Sequence, residues 1–283
     1  MRKQFLFASL MCVLIRKAPP LRRGGGRRPE GFGPRGLLRH RRGKYFVLIL
    51  LFAIIATSTL AANGILPGTG IETDPYLIED LDDFDRFVAD PNYWAVGVHT
   101  KLMTDIDLSG RTYTTAVIAP DTDNTNNTFE GTSFSGIFDG DDFTVSNLNI
   151  NAEDTNNNFL GLFGEKRGST SEIRNLGIKN VCIFGGIGSD FLGGLVSFND
   201  GGSVINCHSS GSVSGSLLVG GLIGRNRNGT VANCYSTVKV CGSGRIGGLL
   251  GQSEIASNVI NCYSAGDCGN FGVSTAVSSN RVS

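Results

Sequence analysis

Three cysteines recur at near-equal intervals late in the chain: Cys207, Cys234 and Cys262, 27 and 28 residues apart. Thiols in such a series can bind metal, form bridges or pack as small buried hydrophobes. A single column points its sulfurs one way, which favours packing over the converging geometry a metal needs. Cys241 and Cys268 form a second pair, 27 residues apart. If they lay on adjacent turns of a stacked structure they would fall within disulfide reach, and an oxidising location would permit that bond. The motif cysteines are flanked by Asn206, Asn233 and Asn261 on one side and by His208, Tyr235 and Tyr263 on the other. Aromatic faces beside side-chain amides suit a sugar or a peptide. The competing reading is that like residues stack on one another and stabilise the array.

Carboxylates crowd the earlier part. Residues 72–154 hold 18 acids against Arg86, Lys101 and Arg111. Asp121 and Asp123 in DTDNTNNT, and Asp139 and Asp141 in DGDD, offer clustered oxygen ligands for calcium, the one cofactor the sequence admits. The first stretch lacks the glycine and distant glutamate of an EF-hand loop, and both stretches also read as turns in which Asp and Asn bind their own backbone. Asp105, Asp107, Asp139, Asp141 and Asp142 could pair for glycoside cleavage, which needs two carboxyls about 5–9.5 Å apart. Asp105 and Asp107 instead flank Ile106 in a strand-like DIDL. His99 and His208 are the histidines after residue 62, and no G-x-S-x-G accompanies them. The chain has no G-x-x-x-x-G-K-[ST], H-E-x-x-H or C-x-x-C, so common nucleotide and zinc machinery is unsupported. The sequence predicts no catalytic residues and a protein that is not an enzyme, with polysaccharide cleavage as the minority reading.

The elements that must position these residues come from repetition. Residues 192–215 read LGGLVSFNDGGSVINCHSSGSVSG, residues 219–242 read VGGLIGRNRNGTVANCYSTVKVCG, and residues 246–269 read IGGLLGQSEIASNVINCYSAGDCG. The first has Ser197 where the others have Gly224 and Gly251. Weaker copies lie upstream, with Leu148 and Leu176 in the cysteine position. Each unit has short β-favouring runs broken by Gly, Asn, Asp and Ser, without a sustained 3.6-residue period. A unit this small cannot bury its own apolar face; stacked copies can. The reading is an all-β parallel β-helix of about 27-residue coils. Alternation places Ile205, Ala232 and Ile260, two residues before the cysteines, on the interior face with them. Leu81, Phe84 and Val88 at helical spacing predict a short N-terminal helix that caps the first coil, with Trp94 packing beside it.

The pattern V-G-G-L-I-G-x-N-x-x-G-x-V-x-N-C-Y-S-T resembles the GLUG-motif repeat of bacterial surface and secreted proteins. The likeness is strong over 192–266 and diffuse upstream. It implies a right-handed parallel β-helix, exported, often within larger adhesin-like proteins, and no shared catalytic residues. The motif identifies scaffold, not function.

Charge and hydropathy set the location. Glycine is 40 of 283 residues, and the formal net charge is zero. The zero is a cancellation: residues 1–44 hold 13 Lys/Arg and one acid, whereas residues 45–283 hold 12 Lys/Arg and 24 Asp/Glu. Residues 45–55, YFVLILLFAII, are an apolar run of 11 behind basic residues and ahead of ATSTLAANG. That is the layout of a signal peptide, with Ala62 as the mature start; an uncleaved signal anchor is the alternative and the sole membrane link expected. The Arg/Gly/Pro-rich stretch 19–43 reads as a long signal n-region, so no nucleic-acid partner is expected. Asn126 and Asn228 lie in N-x-T sequons, which matter in a host that glycosylates. Three regions follow: a basic leader over 1–62, acidic coils with a cap over 63–158, and GLUG-type coils over 159–283. The polar ending NFGVSTAVSSNRVS does not read as a cap, so a truncated C-terminus is expected. The expected role is structural or adhesive, at the cell surface or in the extracellular space, with polysaccharide or surface proteins as partners. The alternative is a carbohydrate-binding or polysaccharide-degrading β-helix.

Overall fold

The computed structural model describes residues 64–155, 157–254 and 256–270. The signal peptide or anchor, the boundary at residue 62 and the polar ending lie outside the described residues.

The chain winds as a parallel β-solenoid. Every strand-to-strand ladder among the described residues is parallel. Coils begin at Phe163, Val196, Ile223 and Leu250, which sit side by side in one ladder. One face of the stack is a seven-stranded sheet of Tyr76–Ile78, His99–Leu102, Ile137–Asp139, Glu172–Arg174, Ser203–Ile205, Thr230–Ala232 and Asn258–Ile260. A nine-stranded, a four-stranded and a three-stranded sheet form the other faces. A strand of three residues has almost no cooperativity of its own; it persists because neighbours hydrogen-bond it on both sides and its inward residues share one core.

The corners explain the motif. Asn147, Asn175, Asn206, Asn233 and Asn261 occupy the left-handed region, with φ between 51° and 59°. Asparagine tolerates that region, where most L-residues are penalised by roughly 1–2 kcal/mol. The corner turns the chain so that residues on both sides of it face inward: Val204 and Cys207 are buried, as are Val231 and Cys234. This corrects the alternation argument. Ile205 and Ala232 are partly exposed and Ile260 is half exposed, because the left-handed Asn breaks the period of two between them and the cysteines.

The glycine pairs are spacing devices. A Cβ on Gly220 would lie 1.8 Å from the Ile223 carbonyl oxygen, and one on Gly221 would lie 2.1 Å from that of Gly248. No side chain fits. Ser197, the departure from the glycine pattern, is fully buried and donates its hydroxyl to the Gly164 carbonyl at 2.6 Å.

The helix forms at Leu81–Ala89 (α1), with Asp80 as N-cap accepting from the Asp83 N–H. Phe84 and Phe87 are fully buried, while Leu81 and Val88 pack against the core from its margin. Trp94 donates its indole N–H to the Phe87 carbonyl at 2.9 Å. The Phe87 ring meets Phe138 at 5.4 Å, and Phe138 meets Phe163 at 5.6 Å, so the helix continues the aromatic interior of the coils.

Candidate functional site

The outward aromatic column forms as its spacing suggested. His208, Tyr235 and Tyr263 lie opposite one another in register. The His208 and Tyr235 rings are 4.9 Å apart at 4°, and Tyr235 and Tyr263 are 5.2 Å apart at 5°. The stack is covered at the histidine end, where a Cβ on Gly177 would come within 2.6 Å of the imidazole. Tyr263, the last ring of the series among the described residues, is 57% exposed. Burial, then the positive charge of Lys179, pushes His208 below the usual imidazole range, so the ring is neutral at pH 7. The stack therefore offers an uncharged aromatic edge.

Beside it runs an amide ladder. Asn206 donates to Asn175 at 2.9 Å, Asn233 to Asn206 at 3.2 Å and Asn261 to Asn233 at 3.2 Å. Asn175 in turn donates to Asp139 at 3.0 Å. The amide oxygens of Asn175, Asn206 and Asn233 are each engaged by the next asparagine, which fixes the corners to one another. The exposed amides keep a second N–H for a ligand.

The motif cysteines form a thiol ladder inside. The Cys207 N–H donates to Cys234 Sγ at 3.3 Å and the Cys234 N–H to Cys262 Sγ at 3.4 Å. Cys207, Cys234 and Cys262 thiols donate to the carbonyls of Ile205, Ala232 and Ile260 at 3.2, 3.2 and 3.1 Å. The hydrogen bond with Cys207, with burial, pushes Cys234 up to about 12, so it is a protonated thiol at neutral pH. Cys241 and Cys268 are free thiols. The interval from Cys234 to Cys262 is 28, so the register shifts by one and the possible disulfide between Cys241 and Cys268 does not fall on paired positions. Cys268 lies opposite Val240, and Cys241 opposite Gly269.

The carboxylates are mostly spent on local structure. Asp139 accepts from Arg174 at 2.9 Å, from Asn175, and from the Asp141 N–H. Burial pushes its carboxyl up, but these bonds outweigh it and hold it below the usual range. Asp141 pairs with Lys101 at 3.0 Å. Asp105 accepts from the Thr144 N–H and hydroxyl, and Asp107 from the Asn147 amide at 2.7 Å. Asp121 takes the N–H groups of Thr122 and Glu130 on one oxygen, and Asp123 accepts from the Thr125 N–H. Among the described residues, no three His, Cys, Asp or Glu side chains are grouped to hold a metal ion. Asp121 and Asp123 lie in one loop, and Asp139 and Asp141 at a corner of the coils.

Two features escaped the sequence reading. The first is Lys166, fully buried in the interior column that continues as Asn199 and Asn226. Its ammonium nitrogen donates to Asn199 Oδ1 at 3.1 Å and to the Gly201 carbonyl at 2.8 Å. Burial pushes it down to about 7, against the pull of Glu172 and Asp200. The second is an outer aromatic cluster of Phe159, Phe191, Phe198 and Leu218, roofed by Phe129 from the loop over 121–131. Phe159 and Phe191 stack at 4.6 Å and 7°, and Phe129 meets Phe159 edge-on at 5.4 Å. The Arg225 and Arg227 guanidinium carbons each sit 4.9 Å from the Phe198 centroid. A cavity of about 230 Å³ lies between the loop and these arginines.

Stacked parallel coils with ladders of thiols, amides and rings define a β-solenoid repeat protein. The chain carries two adjacent GLUG repeats: residues 192–214 and 215–240 each match the model of the GLUG motif. Over 154 residues, 54% of this chain, it is 34% identical to halomucin of Haloquadratum walsbyi. The chain spans 2% of the length of that protein. A solved structure from Bacteroides ovatus, described as a candidate immunoglobulin A1 protease, superposes with a TM-score of 0.44 and 17% identity, covering 76% of this chain and 83% of that one.

Proposed function

We propose that this chain is an exported β-solenoid whose role is structural or adhesive, at the cell surface or in the extracellular space. The observation that carries the reading is the continuity of the three ladders across coils. Amides bond to amides and rings stack on rings, while the thiols bond to the backbone of their own and the adjacent coil, which is how a stiff rod is built. The GLUG repeats and the likeness to halomucin support the same reading. On it, the coils present side chains and perform no chemistry: Asp105, Asp107, Asp139 and Asp141 are held by N–H and guanidinium donors, an arrangement suited to fixing corners.

The test is labelling of intact cells with a membrane-impermeant maleimide. Cys182 and Cys268 are exposed thiols. Labelling without lysis is expected; labelling solely after lysis contradicts export. A second reading, a carbohydrate binder, is favoured by one observation, the exposed ring of Tyr263 stacked on Tyr235. Retention of the protein on immobilised polysaccharide, with and without calcium, tests it. Loss of retention in Tyr263→Ala supports that reading, and release of sugar fragments overturns the non-enzymatic one.

A further inference from the structure

The loop over 121–131 is an insertion that leaves the coil and folds back over its outer face. It is held there by specific contacts. Asn158 donates to the Asn126 carbonyl at 3.1 Å and to Asn127 Oδ1 at 3.0 Å, while Asn127 donates to Asp190 at 3.3 Å. Beneath it lies the cavity of about 230 Å³. That is smaller than the roughly 300–1,000 Å³ that hold drug-sized molecules, and suits about one ring.

Three arginines, Arg167, Arg225 and Arg227, line the cavity together with Glu165, and Arg167 pairs with Glu165 and Asp200. Arg225 turns Nε and Nη2 to Glu254, and Arg227 turns Nε and Nη2 to Asp200 at 2.9 and 2.7 Å. Each guanidinium has five N–H donors, so the Nη1 end of both remains to bind another acceptor. Phe198 supplies an apolar floor, and the Asn127 and Thr128 side chains supply polar groups at the rim. A carboxylate matches paired guanidiniums, a ring matches the apolar floor, and hydroxyls match the rim.

We propose that this cavity binds a carboxylated sugar residue of an acidic polysaccharide, its carboxylate held by Arg225 and Arg227. The site is separate from the Tyr235–Tyr263 edge, and it does not depend on the coils being a passive rod.

Trigalacturonic acid titrated into the full chain, followed by calorimetry, tests this, with cellotriose as the uncharged comparison. The charged trisaccharide should bind and cellotriose should not. Arg225→Gln and Arg227→Gln should each weaken binding at least tenfold, and raising salt from 0.05 to 0.5 M should weaken it further, because the Debye length falls from above 10 Å to a few ångströms. Since the arginines also cover Phe198, a second variant guards against misfolding. Thr128→Trp fills the cavity from the exposed loop and should abolish binding with an unchanged circular dichroism spectrum. No binding of trigalacturonic acid, equal binding of cellotriose, full binding by Thr128→Trp, or equally tight binding of a hexaglutamate peptide overturns the proposal.

Discussion

Lys166 makes the stability of the coils depend on pH in a direction that can be worked out. In the unfolded chain its amine has the ordinary lysine value of 10.5; in the folded chain burial brings it to about 7. Between these values the unfolded state holds a proton that the folded state does not. Stability therefore rises with pH through this window and is lost as pH falls toward 7. One pH unit inside the window corresponds to about 1.36 kcal/mol, so moving from pH 7 to 8.5 should add about 2 kcal/mol. The cysteine ladder works the other way. Cys234 is raised from 9.0 to about 12, so the unfolded thiol ionises first and stability falls as pH passes 9; at pH 8.5 that costs well under about 1 kcal/mol. Urea unfolding under reducing conditions at pH 7.0 and 8.5 measures the sum. Lys166→Met isolates the amine. It leaves Asn199 Oδ1 and the Gly201 carbonyl without their donor, a cost of about 1–3 kcal/mol each, but removes the rise with pH. Equal slopes for Lys166→Met and the unsubstituted chain would refute the argument.

Other predictions follow from the ladders. Asn233→Val places a β-branched residue at φ 54° and should destabilise by about 1–3 kcal/mol; Asn233→Gly should lose less, since it keeps the turn and forfeits the amide bonds, both read from denaturant midpoints. Cys234→Ala removes the acceptor of the Cys207 N–H and the donor to Ala232, and should lower stability by about 1–3 kcal/mol in the same assay. Tyr235→Ala breaks both ring contacts and should cost about 1–3 kcal/mol, two pairs at roughly 0.5–1.5 each, in thermal unfolding. In native protein, Cys182 and Cys268 should react with a thiol reagent well before Cys207 and Cys234, which are 1% exposed; simultaneous reaction of all four would show the interior ladder to be absent.

Much of this architecture was legible because stacking turns a sequence interval into a spatial contact. Intervals of 27 and 28 placed His208, Tyr235 and Tyr263 face to face, and buried Cys207 and Cys234. The failures have specific causes. The interior assignment of Ile205, Ala232 and Ile260 assumed an unbroken strand, whereas the Asn corner bends the chain there. The Cys241–Cys268 bridge assumed a constant repeat, and one added residue in the last coil moved Cys268 opposite Val240. The arginine-lined cavity was invisible because its roof and part of its aromatic wall lie outside the repeat columns. Phe198 does stand opposite Arg225 in the ladder, but Phe159 and Phe191 reach it from outside that strand, and the loop that roofs them interrupts the repeat. Lys166 sits in an E-K-R run that reads as surface; the alternation of its strand, opposite Asn199, is what turns it inward.

Coil register is the claim on which the ladders, the stacked rings and the cavity all depend. In a chain with Cys182, Cys241 and Cys268 changed to serine, Ser212→Cys combined with Lys239→Cys tests it most directly. Ser212 and Lys239 are exposed and lie opposite each other on adjacent coils, about 4.8 Å apart as paired strands and within disulfide geometry. Mild oxidation should close that pair. Ser212→Cys with Asp267→Cys spans two coils, about 10 Å, and should stay open. A closed distant pair, or an adjacent pair that never closes in folded protein, would contradict the stacked coils.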